Sequence, residues 1–168
     1  MNGDLVKAII ILPGTVLVLV PALILAATGG TALPAHLTLL NLLRFWLGLV
    51  SAAVGGGLAL WTVMLFTRYG DGTPAPWEPP RNLVIRGPYR HVRNPMITGV
   101  LFLIAAEALL LGSWPLIVWM GLFFLGNAVY FPLVEEKGLE ERFGQAYREY
   151  KRNVPRWLPR QQPWIPGR

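Results

Sequence analysis

No cysteine occurs in the chain, which excludes disulfide scaffolds, iron–sulfur clusters and thiolate zinc sites and leaves the redox compartment open. Charge is scarce as well. Asp, Glu, Lys and Arg make up 14% of the 168 residues, against about a quarter in ordinary soluble domains. There are two histidines, His36 and His91, and no His-Glu-x-x-His pair, phosphate loop or Ser/His/Asp set. No metal site is expected. What fills the chain instead is apolar: 54% hydrophobic residues and a mean hydropathy of +0.46. A soluble fold of this size could not hide that much apolar surface. The length fits one domain, so residues 1–168 read as a single small integral membrane unit. The net charge of +6 could suggest nucleic acid, but basic residues in a membrane protein set its orientation, and no nucleic-acid partner is expected.

Four apolar stretches carry this reading: Leu5–Ala27, Leu42–Thr67, Met96–Leu111 and Trp114–Leu133. The first is taken as a retained helix, because its apolar run exceeds that of a secretory signal. The second is long enough for a hydrocarbon core that needs about 20 helical residues. The third is short for a span and predicts tilt, extension into Asn94-Pro95 or local thinning of the bilayer. Gly112-Ser113-Trp114-Pro115 predicts a tight turn, so the last two spans form a helical hairpin. Gly55-Gly56-Gly57 lies inside a span with no strand before it, which excludes a dinucleotide loop and predicts close helix packing.

Fourteen of the 15 basic residues fall on one side of a four-span arrangement, and the segment 28–41 carries no charge. The positive-inside rule then places both termini and residues 68–95 in the cytoplasm, with His36 and His91 on opposite sides of the membrane. The expected fold is therefore all-α and polytopic, with about four transmembrane helices. Residues 1–67 form an N-terminal two-helix part, and 68–168 a part holding a cytoplasmic loop, the hairpin and a C-terminal segment. In that segment Leu139, Phe143, Ala146, Tyr147 and Tyr150 recur at helical spacing, predicting an amphipathic helix that Val154-Pro155 ends. Room remains for a homodimer, though no interface motif compels one.

Two clusters could carry chemistry. Arg86-Gly87-Pro88-Tyr89-Arg90-His91-Val92-Arg93-Asn94-Pro95-Met96 joins a tight turn, four basic groups and a helix start, which favours an anion. Glu135-Glu136 follows the last span. Together they match a ligand carrying both an ammonium and a carboxylate. Glu107 is an isolated carboxylate within a span, the kind of residue that faces a partner or a cavity.

Gly87-x-Tyr89-(x3)-Arg93-x-Pro95, then a hydrophobic hairpin, then Glu135-Glu136-(x2)-Leu139-(x3)-Phe143-Gly144-(x2)-Tyr147-(x2)-Tyr150-(x3)-Val154-Pro155 resembles the isoprenylcysteine carboxyl methyltransferase and phospholipid methyltransferase superfamily. The resemblance spans roughly residues 81–159. It implies an integral-membrane enzyme that uses S-adenosylmethionine without a Rossmann domain and methylates a lipid or other hydrophobic small molecule. By position, it implies backbone contacts from Leu83 and Val84 to the adenosine and a pocket lined by Tyr89. Asn94-Pro95-Met96-Ile97 would turn around the cofactor, and Glu135 would bind its amino group with Glu136 beside it. The chain departs from the isoprenylcysteine enzymes in having Asn94-Pro95-Met96-Ile97 for His-Pro-x-Tyr, nearer the phospholipid enzymes. It also has Phe131 where they place a substrate arginine. Trp77 or Tyr89 could meet the sulfonium by cation–π contact. His91 and Glu107 are the candidates for a catalytic base. Two other readings stay open at this point: a nicotinamide-dependent membrane sterol or enone reductase, and a non-enzymatic membrane scaffold.

Overall fold

The computed structural model describes Ile11 and residues 13–31, 38–70 and 80–167. Lys7, His36, Trp77 and the proline-rich stretch 71–79 lie outside the described residues. The described residues are all-helical, with no strand, and form four helices. These are α1 (Thr15–Ala27), α2 (Leu39–Gly70), α3 (Pro95–Leu111) and α4 (Trp114–Asn153). Helices α2 and α4, with 32 and 40 residues, are long and apolar enough to cross a membrane; α1 and α3 are shorter.

The expected last span and the expected amphipathic helix are one continuous element. Pro132 lacks an N–H and would clash in a regular helix, so the chain widens there into a π-turn at Phe131–Glu135, closed by the Glu136 N–H donating to the Phe131 carbonyl. Helix α4 also bends at Gly144, whose backbone (φ 53°, ψ −124°) interrupts the amphipathic segment. Helix α2 ends in a similar wide turn at Phe66–Gly70. The 112–115 turn is as expected: Gly112 takes φ 64° and the Ser113 N–H reaches back to the Ala108 carbonyl, ending α3.

The chain divides into two compact units. The first holds residues 1–57 and 99–124. Here α2 and α3 meet through small residues: a Cβ on Gly55 would lie 2.7 Å from the Gly99 carbonyl oxygen, and one on Gly48 2.7 Å from the Leu110 side chain. The Ser51 hydroxyl donates to the Phe102 carbonyl at 2.7 Å. Of the three consecutive glycines only Gly55 makes the close approach; Gly56 and Gly57 face open space.

The second unit holds residues 58–98 and 125–168. Its core is built by non-helical chain packing on the polar end of α4. Tyr147, Tyr150, Val154 and Trp164 are buried together, with Leu83, Ile85, Leu139 and Phe143 against them. A second cluster joins Leu65, Val84 and Tyr89. The turn Gly87–Arg90 between them is a single tight 3₁₀ turn. It needs glycine at its start on two counts: Gly87 has φ 53°, and a Cβ there would press 2.9 Å from the Trp61 ring.

Candidate functional site

The segment after α4 is sewn onto the 87–94 turn by its backbone. The Arg93 N–H donates to the Pro155 carbonyl, the Arg160 N–H to the His91 carbonyl and the Trp164 N–H to the Arg90 carbonyl. The Tyr150 hydroxyl donates to the Tyr89 carbonyl at 2.7 Å, a bond buried inside the unit. Two segments far apart in sequence thus fix one another, and the motif residues of both come into one layer.

Within that layer the two adjacent glutamates have different surroundings. Glu136 is buried, 2% exposed, and its carboxylate is surrounded by cations. Arg93 Nη1 and Arg156 Nε both donate to Oε1 at 2.8 Å, Arg156 Nη2 donates to Oε2 at 3.1 Å, and Lys151 Nζ lies 3.1 Å from Oε2. Burial alone would raise this carboxyl, but the Arg156 hydrogen bond, Arg93 and Lys151 together hold it below the ordinary carboxylate range. Lys151 is itself shared with Glu140 at 2.7 Å. Glu136 therefore ties the start of the polar segment to its end and to the turn before α3. Burying such a set is tolerable because the lone pairs are satisfied.

Glu135, one position earlier on the π-turn, accepts no hydrogen bond among the described residues. Burial raises its carboxyl, with Arg142 opposing the shift. Its charge reaches Tyr89, whose phenol is driven far above its ordinary value by burial first, then by Tyr150 and Glu135. The Tyr89 hydroxyl therefore stays protonated, beside a T-shaped contact with Phe66 at 5.5 Å. Asn94 starts α3: its carbonyl accepts from the Thr98 N–H and hydroxyl, while its buried side-chain Nδ2 has no partner among the described residues. Pro95 is fully buried behind it, and Met96 and Ile97 are half-buried in the first turn of α3.

The unit thus holds an acceptor without a donor (Glu135) and a donor without an acceptor (Asn94 Nδ2). Glu136, by contrast, has its charge fully engaged by protein cations. Leu83 and Val84 lie in the irregular segment before the Gly87–Arg90 turn, with Val84 buried against Leu65 and Tyr89.

His91 is positioned by the tail. Its Nδ1 is 2.8 Å from the Arg160 carbonyl oxygen, which can only accept, so Nδ1 carries a proton and a neutral ring presents Nε2 as an acceptor. Glu107 lies in the first unit, on α3, with a buried Oε2 that has no hydrogen-bond partner among the described residues. The two candidates for a base thus belong to different units. Phe131 packs edge-on against Trp157, ring centres 6.1 Å apart. Sequence reasoning did not find the roles of Lys151 and Arg156. Their signal was available only as an excess of basic residues 15 and 20 positions after Glu136.

The family model for phospholipid methyltransferase matches residues 43–146, more than half of the chain and inclusive of the turn, α3, the π-turn and Glu135-Glu136. The chain belongs to the phospholipid methyltransferase family, within the isoprenylcysteine carboxyl methyltransferase-like superfamily. That family is membrane-associated and its members are methyltransferases. No curated protein and no solved structure matches the chain.

Proposed function

We propose that this protein transfers a methyl group from S-adenosylmethionine to a lipid or other hydrophobic small-molecule acceptor at the cytoplasmic face of a membrane. We read it as crossing that membrane four times, with both termini inside. The observation that carries the reading is the unpartnered Glu135 carboxylate in the same unit as the unpartnered Asn94 amide, in a chain of this family.

The cofactor supplies an activated methyl on a sulfonium, so the protein's work is to hold, orient and keep dry. Glu135 would accept hydrogen bonds from the ammonium and Asn94 Nδ2 would donate to the carboxylate. Leu83 and Val84 would offer backbone groups to the adenosine, and Pro95, Met96 and Ile97 would form the turn that helps enclose it. Tyr89, protonated and buried, presents an aromatic wall to positive charge. Glu136 acts as a positioning residue: with Arg93, Lys151 and Arg156 it fixes the tail over the turn, which sets the orientation of its neighbour Glu135. Of the two candidate bases, His91 shares the unit with Glu135 and Tyr89, and its Nε2 is the atom that would accept a proton from an amine or hydroxyl acceptor. Glu107 is then left with a role within the span.

The test is methyl transfer by the purified protein in phospholipid nanodiscs, with S-adenosylmethionine labelled in the methyl group. Label extracted with the lipid fraction, lost in Glu135→Gln, supports the reading. Absence of transfer to any lipid by folded protein that binds NADPH instead would replace it with the reductase class.

A further inference from the structure

The tail after α4 carries Leu158, at 81% exposure the most exposed large apolar side chain among the described residues. It lies in a loop, 156–159, pinned at both ends to the turn before α3. The Pro155 carbonyl accepts from the Arg93 N–H, and the Arg160 N–H donates to the His91 carbonyl. The arginines flanking the tip both turn back into the protein. Arg156 makes hydrogen bonds of 2.8 and 3.1 Å to Glu136, and Arg160 Nη1 donates to the Asn153 carbonyl at 2.9 Å. Pro159, beside the leucine, has no N–H to satisfy. The tip is therefore apolar and uncharged, and it is held out on a braced loop.

A single exposed leucine is ordinary on a soluble surface. What distinguishes Leu158 is its neighbourhood. Trp157, next to it, packs edge-on against Phe131, which opens the π-turn where the apolar part of α4 ends. From Trp114 to Val134 that helix has no charged residue, a length of about 30 Å that matches the hydrocarbon thickness of a bilayer. With α4 crossing the membrane as proposed above, Phe131 stands in its last turn inside the hydrocarbon. The contact with Trp157 then brings the tail loop to the same level. Tyr130, Leu133 and Val134 beside Phe131 are exposed too, so apolar surface open to lipid reaches the depth of the loop.

We infer that the tail loop dips back into the leaflet that α4 leaves, with Leu158 among the acyl chains and Trp157 at the headgroup boundary. The partner of this surface is the lipid bilayer itself. The inference rests on α4 crossing the membrane and is independent of the reaction. Because the two ends of the loop are bonded to Arg93 and His91, a tip fixed in lipid also holds the turn before α3 against the bilayer.

The absence of cysteine lets a single dye be placed at a single position. Leu158→Cys, Leu125→Cys and Gln145→Cys are each labelled with a nitrobenzoxadiazole dye, as full-length protein in phosphatidylcholine nanodiscs. Quenching by a nitroxide on the lipid acyl chain is compared with quenching by aqueous iodide. Leu125 is exposed within the apolar part of α4 and reports hydrocarbon. Gln145 is exposed on the polar end, reports water, and controls for the dye's own affinity for lipid. The expected result for Leu158→Cys is emission at shorter wavelength than in Gln145→Cys, quenching by the lipid nitroxide as in Leu125→Cys, and shielding from iodide. Iodide quenching equal to that of Gln145→Cys would overturn the inference while leaving the crossing of α4 intact. Shielding from both quenchers would also overturn it, by covering Leu158 with protein instead of lipid. A dye on Leu125→Cys that the lipid nitroxide does not reach would remove the crossing itself, and the inference with it.

Discussion

The two units keep their polar groups in opposite ways. In residues 1–57 and 99–124, helices approach through Gly48 and Gly55, one serine hydroxyl reaches a helix carbonyl, and the only described carboxylate, Glu107, has an oxygen with no partner. In residues 58–98 and 125–168, five charged side chains (Arg93, Glu136, Glu140, Lys151 and Arg156) join in one ion-pair network, and irregular backbone from two distant segments is cross-bonded. The first unit is organised by shape, where close approach of backbones replaces a hydrophobic force that lipid would not supply. The second is organised by compensation of buried polarity. A site for a charged, water-soluble donor needs the second kind of construction.

The comparison breaks most sharply at Glu136. Glu136→Ala leaves Arg93 buried beside Arg156 and Lys151 without a counter-charge, and we expect a loss of about 3–5 kcal/mol in unfolding free energy in detergent. Glu135→Gln should change stability by less than about 0.5 kcal/mol, because its carboxylate accepts no hydrogen bond among the described residues and its attraction to Arg142 is outweighed by burial. The same pair separates with pH. The Glu136 carboxyl is depressed on folding, so its contribution is present above the ordinary glutamate value of 4.5 and is lost as the pH falls through the lower folded value. Melting temperature should therefore drop on acidification in the wild type, with a shallower slope in Glu136→Gln. Glu135 is shifted the other way, so binding of an ammonium ligand there should strengthen as the pH rises above the usual carboxylate range.

In the first unit the expected effects are steric. Gly55→Leu forces side chain into the Gly99 carbonyl and Leu103 and should cost about 1–3 kcal/mol, whereas Gly56→Leu meets open space and should be neutral. Thermal unfolding of the two variants side by side checks this. A smaller effect is expected from Tyr150→Phe in the second unit. It removes the donor to the buried Tyr89 carbonyl and should cost about 1 kcal/mol, read as a lower melting temperature with methyl-transfer kinetics used to detect movement of Tyr89.

The sequence foretold the first unit better than the second. Helix positions follow from length and apolarity: the second apolar stretch was expected at Leu42–Thr67 and a helix is observed at Leu39–Gly70, and the turn at Gly112-Ser113 lies where its residues put it. The continuity of α4 through Pro132 was not legible, because whether a proline ends a helix or widens it into a π-turn depends on what packs around it. The break at Gly144 escaped for a related reason. The apolar spacing on either side of it is helical, and a single positive φ leaves no trace in that pattern. In the site, the motif spacing singled out Tyr89, Asn94, Glu135 and Glu136, but it treated the two glutamates alike. Which one is free is decided by Arg93, Lys151 and Arg156, contacts spanning 43, 15 and 20 residues that no local pattern encodes.

The division of roles between those two carboxylates is best tested by calorimetric binding of S-adenosylmethionine to the purified protein, wild type against Glu135→Gln. The account predicts saturable binding in the wild type, and loss of binding in the variant with its melting temperature unchanged. Wild-type affinity in a fully folded Glu135→Gln protein would contradict it.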